Sequence, residues 1–184
     1  MALLISRLAA AIVLLLVTAG GPVLAVPSAT PHQVEAAFLC SFAEFVDWPP
    51  PATDAPVTIG ILGDDVFRKL VEATAKERPL QTKAILVKPV SGIEEALLCR
   101  IVYIGASERK NLDAIIRALS ASTVLTVSDI QDFAQRGGMI GFTLEENRVR
   151  FEINVEAAER ANLRVSSRLL KLARIVGPSG RNGA

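Results

Sequence analysis

Three short polar clusters interrupt a chain that is otherwise rich in aliphatic residues, and any chemistry would fall to them. Asp64-Asp65 follow the apolar run Val57 to Leu62, Ser107-Glu108-Arg109 follow Arg100 to Ile104, and Ser128-Asp129 follow Val124 to Val127. Adjacent carboxylates are the residue type that holds Mg²⁺ for phosphoryl transfer. A phospho-acceptor aspartate would stand at the end of the third run, where this chain has Ile104-Gly105. Phosphoryl transfer therefore lacks its central residue. Asp64, Asp65, Ser107, Arg109 and Ser128 remain as a candidate small-ligand site. The same residue types are also helix caps and turn formers, and capping alone accounts for them.

Other reaction classes lack parts. Gly60-Ile61-Leu62-Gly63 has no third glycine at dinucleotide-binding spacing, and no phosphate-cradling glycine-lysine loop occurs. Acyl transfer by a serine would need the lone histidine, His32, which sits beside a proline at a helix start. Cys99 has no plausible histidine partner, which makes it a weak nucleophile. One histidine and two cysteines give no zinc cluster. The expectation is a protein with no catalytic residues, no metal and no cofactor.

The elements that would position these clusters alternate between strand and helix. Thr30, Pro31 and Gln33 form a capping box for a helix running to about Asp47. Its apolar side is read as Val34, Ala37, Phe38, Ser41, Phe42 and Phe45, with Glu35, Glu44 and Asp47 mostly elsewhere. Trp48 at its end is expected to fold back over the core, with three prolines stopping the helix. Val57 to Leu62, Lys83 to Val87, Arg100 to Ile104 and Val124 to Val127 read as strands, and the first, almost wholly apolar, as one covered on both faces. Helices follow them: one to about Ala75 with Val66, Phe67, Leu70 and Val71 inward, a short one capped by Ser91-Gly92-Ile93-Glu94, one capped by Ser107, and a short one opened by Ser128.

The end of the chain reads differently. Residues 139–144 and 148–154 alternate with a period of two around Glu145-Glu146-Asn147, which predicts a β-hairpin. Arg148, Arg150 and Glu152 would form its polar face. Gly137-Gly138 would bend the chain into it, with at least one glycine at positive φ. Asn154 would cap a helix to Ala161, and Ser166 or Ser167 a last helix from Arg168 to Val176. The pattern predicts an α/β fold: a three-layer flavodoxin-like sheet, mostly parallel in the order 2-1-3-4, with an antiparallel hairpin at its C-terminal border.

Bulk properties narrow the setting. Arg7, the apolar run Leu8 to Thr18, the Gly20-Gly21-Pro22 break and Val23-Leu24-Ala25 form the three-part pattern of a secretory signal peptide, residues 1–25. Residues 26–176 then make one domain, and 177–184 a disordered tail. Twenty Lys and Arg against nineteen Asp and Glu, with no basic run, give no support for nucleic-acid binding. Export permits a disulfide, and Cys40 and Cys99 allow one bridge, although spacing alone does not bring them together.

Taken in order, these stretches resemble the YfiR family of exported bacterial proteins. The resemblance rests on residues 34–49 (ending Phe45-Val46-Asp47-Trp48-Pro49), 61–67, 99–108, 124–129, 133–140, 149–154 and 166–173. It implies a periplasmic regulator without enzymatic activity. The best-understood relative restrains a membrane-bound diguanylate cyclase through its periplasmic sensor domain, tying cyclic-di-GMP output, biofilm and motility to conditions in the envelope. The implied partner is such a domain, of a cyclase or a histidine kinase, with a homodimer left open. Redox state, through disulfides, is one input proposed for the relative. Many members carry a cysteine near the position of Gly60 to pair with the one matching Cys99, and often an aromatic where Cys40 stands. A Cys40–Cys99 bridge would be a different solution. The competing expectation is a periplasmic small-ligand receptor using the strand-end crevice.

Overall fold

The computed structural model of the protein describes residues 29–49, 56–77 and 84–177. The expected signal peptide, and the tail beyond Gly177, lie outside the described residues. Helix α1 spans Pro31–Phe45 and opens as its sequence dictates. The Thr30 side chain accepts from the Gln33 amide at 3.3 Å, and the Gln33 side chain accepts from the Thr30 amide at 2.8 Å. That reciprocal box satisfies two donors that a helix start otherwise leaves unpaired.

Strand β1 (Val46–Asp47) leads away from α1. The sheet is built from β2 (Val57–Leu62), β3 (Ile85–Val90), β4 (Ile101–Ile104), β5 (Leu125–Ser128), β6 (Ile140–Glu145), β7 (Arg148–Ile153) and β9 (Arg174–Ile175). Its order is β3-β2-β4-β5-β6-β7-β9, so the expected 2-1-3-4 parallel order holds for the first four strands. Between them run α2 (Asp65–Glu77), α3 (Ile93–Ala96), a 3₁₀ turn (Ala106–Lys110) and α4 (Leu112–Leu119), and after β7 come α5 (Val155–Arg160), β8 (Arg164–Val165) and α6 (Ser167–Leu170). Strands β1 and β8 form a separate antiparallel pair.

Alternation along the strands divides the core into two layers. Ile59, Ile61, Ile101, Tyr103, Leu125 and Val127 face α1, α2 and α5. Leu62, Val102, Ile104 and Val124 face the other way, toward α4 and Phe133. Phe42 is the hub of the first layer. Its ring centroid lies 5.9 Å from that of Phe142 and 5.7 Å from that of Phe151, and such aromatic pairs contribute about 0.5–1.5 kcal/mol each beyond their buried area. Trp48 does pack back against this layer.

The hairpin forms with a two-residue turn. Glu146 and Asn147 have φ of 48° and 60°, the left-handed pair whose twist matches the flanking strands. Gly137 has φ of 104°, as expected of the bend that precedes it.

Several expectations are corrected. The hairpin is not the border: β9 adds a further parallel strand beside β7, with Glu152 opposite Arg174. The last helix stops at Leu170 because Arg174–Ile175 is drawn into that strand and the Val176 amide donates to the Ile153 carbonyl at 3.0 Å. Glu152 is consequently 3% exposed, not part of an open polar face. Ser128 opens no regular helix; a chain of turns follows it, broken by Asp132 at φ 58°. Helix α3 has no side-chain cap, the Ser91 amide donating instead to the Glu95 carboxylate. Ser107 is not an N-cap either, for the turn starts at Gly105. Val66 is 83% exposed because α2 turns Phe67 and Val71 inward instead.

The buried side of α1 is also rotated from the expected one. Ala36, Leu39, Cys40, Phe42 and Ala43 are buried, and Glu35 with them. Val34, Ala37, Phe38 and Ser41 are half-buried and face Leu70 and Thr74 of α2 across an open groove of about 670 Å³. The helix rests on the sheet and against a second helix at once, so its apolar arc is wider than one stripe.

Candidate functional site

The five strand-end residues separate into different environments. Asp64 Oδ1 accepts from the Phe67 amide at 2.8 Å and thereby caps α2. Asp65 is exposed and pairs with Arg68 Nε at 3.1 Å. Ser107 Oγ donates to the Gly63 carbonyl at 2.8 Å, closing the loop after β2 onto the loop after β4. Ser128 is fully buried: its hydroxyl donates to the Ile104 carbonyl at 2.7 Å and accepts from the Ile130 amide at 3.0 Å. Arg109 lies exposed on the 3₁₀ turn. The hydroxyls and Asp64 are thus engaged in holding the strand ends in place.

The approach of these loops is close. Gly63 has φ of 77°, and a Cβ there would meet Ser107 Oγ at 2.2 Å. A Cβ on Gly105 would meet Asp64 Cβ and the Gly63 carbonyl oxygen, each at 2.9 Å. Only glycine lets the two loops seal the carboxyl ends of β2 and β4 in this way.

A second group of polar side chains gathers on the α1 side of the same strand ends. Tyr103 of β4 is buried under Phe67, ring centroids 4.3 Å apart. Burial, then Asp129, and then the charges of Glu35 and Asp64 drive its phenol far above the usual range. Glu35, from the first turns of α1, is 8% exposed, and its Oε2 has no partner. Burial raises its carboxyl above the ordinary value of 4.5; His32 opposes this and Asp129 adds to it. Asp129 Oδ1 is likewise buried without a partner.

Sequence reading missed this group for identifiable reasons. The apolar pattern of α1 sets Glu35 off its inner side, and Tyr103 is hidden inside the apolar run of β4. The available signal was spacing: Glu35, Leu39 and Phe42 recur at i, i+4 and i+7, which puts a carboxylate on a buried face.

Cys40 and Cys99 are both buried and free. Cys40 belongs to the layer under α1, Cys99 to the layer on the opposite face. The sheet stands between them, so the bridge that the sequence left open does not form. Burial pushes the Cys40 thiol up to about 11 and raises that of Cys99 as well, the latter opposed by Lys88. Thiols so raised are poor nucleophiles. Among the described residues no group of three or more His, Cys, Asp or Glu side chains is placed to hold a metal ion. No helix among them is long and apolar enough to cross a membrane.

A family model described as YfiR/HmsC-like matches residues 32–174. The chain belongs to the YfiR/HmsC-like family. This is a family of periplasmic regulatory domains, and the match spans the sheet from α1 to β9. Among solved structures, the fold is similar to a conserved domain protein from Vibrio cholerae O1 biovar El Tor, at 10% identity and TM-score 0.57 over 79% of this chain. It is also similar to the ABC domain in complex with L-Trp from Streptococcus pneumoniae, at 11% identity and TM-score 0.53 over 80% of this chain. The YfiR/HmsC-like chain spans 60% and 61% of those two chains, respectively, and at such identities the likeness is one of fold.

Proposed function

We propose that this YfiR/HmsC-like chain is exported with residues 1–25 as its signal peptide and acts in the periplasm as a non-enzymatic inhibitor of a membrane sensor. The sensor's output is a diguanylate cyclase or a related signalling domain, reached through its periplasmic part. The family match across the whole described domain supports this reading. So does the employment of Asp64, Ser107 and Ser128 in closing the strand ends, which leaves no assembled nucleophile and base there. An inhibitor of this kind works by population shift: it biases the sensor by the difference between its affinities for the two sensor states.

The test is deletion of the gene in its own host, with cyclic-di-GMP quantified and periplasmic crosslinks to the tagged chain identified by mass spectrometry. The expected result is higher cyclic-di-GMP, restored by the exported chain, and a crosslinked membrane protein carrying a signalling output. Unchanged cyclic-di-GMP together with no membrane partner would overturn the reading. A small-ligand receptor using Asp64, Asp65, Ser107, Arg109 and Ser128 is the competing proposal. It would show instead as a thermal shift with a small metabolite, abolished by Ser107→Ala.

A further inference from the structure

The last stretch of the chain is electrostatically one-sided. From Arg160 to Ala184 the sequence holds six basic residues and no acidic one, in a chain whose totals are twenty and nineteen. Two of these cations are paired within the fold: Arg160 Nη1 lies 2.9 Å from Glu156, and Arg174 is joined to Glu152. Arg164 stands opposite Asp47 in the β1–β8 pair. Arg168 and Lys171 are exposed, and neither forms an ion pair with a carboxylate among the described residues.

The turn that carries them sets them side by side. Helical hydrogen bonding continues past α6, the Leu172 amide donating to the Leu169 carbonyl at 3.0 Å and the Ala173 amide to the Leu170 carbonyl at 3.3 Å. At about 100° per residue, Leu169, Leu170 and Ala173 share one arc of this turn, and Arg168, Lys171 and Leu172 share the other. The packing follows that division: Leu169 is buried, and Leu170 and Ala173 lie against the core. The inner arc is therefore filled without Leu172, which is 66% exposed between the two cations. Ile175, three residues on in the last strand of the sheet, is 53% exposed as well. An apolar side chain set within a rim of unpaired charge is the layout of a small protein contact.

We propose that Arg168, Lys171 and Leu172, with Ile175 nearby in sequence, form a docking surface for an acidic protein segment, one that brings carboxylates to either side of an apolar side chain. Charge complementarity selects this occupant. The Arg168 guanidinium can take a carboxylate through two parallel hydrogen bonds, and Lys171 supplies a second, compact positive charge. A second copy of the chain placed on a two-fold axis here would set the same cations against each other. Cationic patches that bind anionic membranes gather about four to eight basic residues, more than the two left unpaired here. The inference deepens the proposed function by assigning the contacting surface, and it rests on that reading for the partner being the periplasmic part of a membrane sensor.

The experiment uses the exported, tagged full chain in its own host lacking the native gene. A photoreactive benzophenone amino acid replaces Leu172 in one strain and Val66, exposed on α2, in another. Each is combined with Arg168→Glu and Lys171→Glu, or with the charge-matched control Lys110→Glu and Arg117→Glu, two exposed cations elsewhere. The expected result is an adduct from position 172 and none from position 66, mapped by mass spectrometry to a peptide containing Asp or Glu. Reversal at 168 and 171 should reduce it about tenfold or more, and the control reversal should leave it. Changing the mapped acidic residues of the partner to Lys should restore the adduct with the reversed chain. An adduct insensitive to the reversal, lost equally in the control, or formed with a second copy would overturn the proposal. So would binding of the purified chain to phosphatidylglycerol vesicles that the reversal removes. Should the doubly reversed chain fail to fold, judged by its thermal unfolding, Leu172→Ser with the photoreactive group moved to position 175 decides: an adduct as strong as in the parent chain counts against the surface. Cyclic-di-GMP measured in the same strains separates the two readings. If every variant restores it, the surface falls and the sensor reading stands; if the adduct obeys the charges but cyclic-di-GMP never responds, the surface stands and the sensor reading falls.

Discussion

A Cβ added to Gly60 of β2 would lie 3.6 Å from the Cβ of Cys99, and 2.7 Å from its Sγ, on the face of the sheet away from α1. That separation is within the range that a disulfide spans. The position where the family resemblance implies a cysteine is thus within bridging reach of Cys99, and only the side chain is missing. Gly60→Cys should form a bridge to Cys99 on oxidation and leave Cys40 as a free buried thiol. The bridged form should exceed its own reduced form by about 2–4 kcal/mol in urea unfolding. The reduced form should fall below the parent, because the new side chain also meets Val90 Cγ2 at 2.6 Å. Peptide mapping under non-reducing conditions checks the pairing. A bridge from the introduced cysteine to Cys40, or to a second copy of the chain, would show that the two layers are not separated as described.

The parallel core was legible because its signals are local. Apolar runs such as Val57 to Leu62, separated by helix-length segments, imply a sheet covered on both faces. The capping box at Thr30 and the period of two through Phe151 are likewise written within a few residues. What escaped was set by contacts distant in sequence. Arg168 to Val176 has a helical pattern, yet the helix stops at Leu170 and Arg174–Ile175 pairs beside β7, with Arg174 opposite Glu152. Ser107 looks like an N-cap until the carbonyl of Gly63 is brought beside it. The candidate site was half legible for the same reason: loops at strand ends are marked by Asp and Ser, whereas the burial of Glu35 depends on which way α1 rolls between the sheet and α2.

The bend before the hairpin should tolerate less than its turn. A Cβ on Gly138 would meet the Phe133 ring at 2.2 Å, and Phe133 is itself 1% exposed and cannot withdraw. Gly138→Ala should therefore cost about 1–3 kcal/mol by overpacking. At the hairpin tip, Glu146 is held at φ 48°, where glycine is at ease. Glu146→Gly should be neutral or mildly stabilising, by less than about 1 kcal/mol. Chemical denaturation of both variants at one pH makes the comparison. Equal losses would contradict the assignment of the bend as the tighter constraint.

The final prediction concerns how the C-terminal strand is held. Glu152 accepts from Gln135 Nε2 at 2.7 Å and from the Arg174 guanidinium, so one buried carboxylate joins the turns before β6 to β9. Arg174 is itself 61% exposed and also approaches Glu145 at 3.8 Å. The two partners should consequently behave differently when removed. Arg174→Ala should free β9 locally, seen as faster exchange of the Val176 amide, which donates to Ile153. Glu152→Ala removes the acceptor shared by both sides and should lower global stability by about 1–3 kcal/mol. Because both substitutions break the same bond, the double variant should lose less than the sum of the singles. Strict additivity, or a Val176 amide unaffected by Arg174→Ala, would mean that β9 is held by its backbone pairing to β7 and that the charged pair is incidental to it.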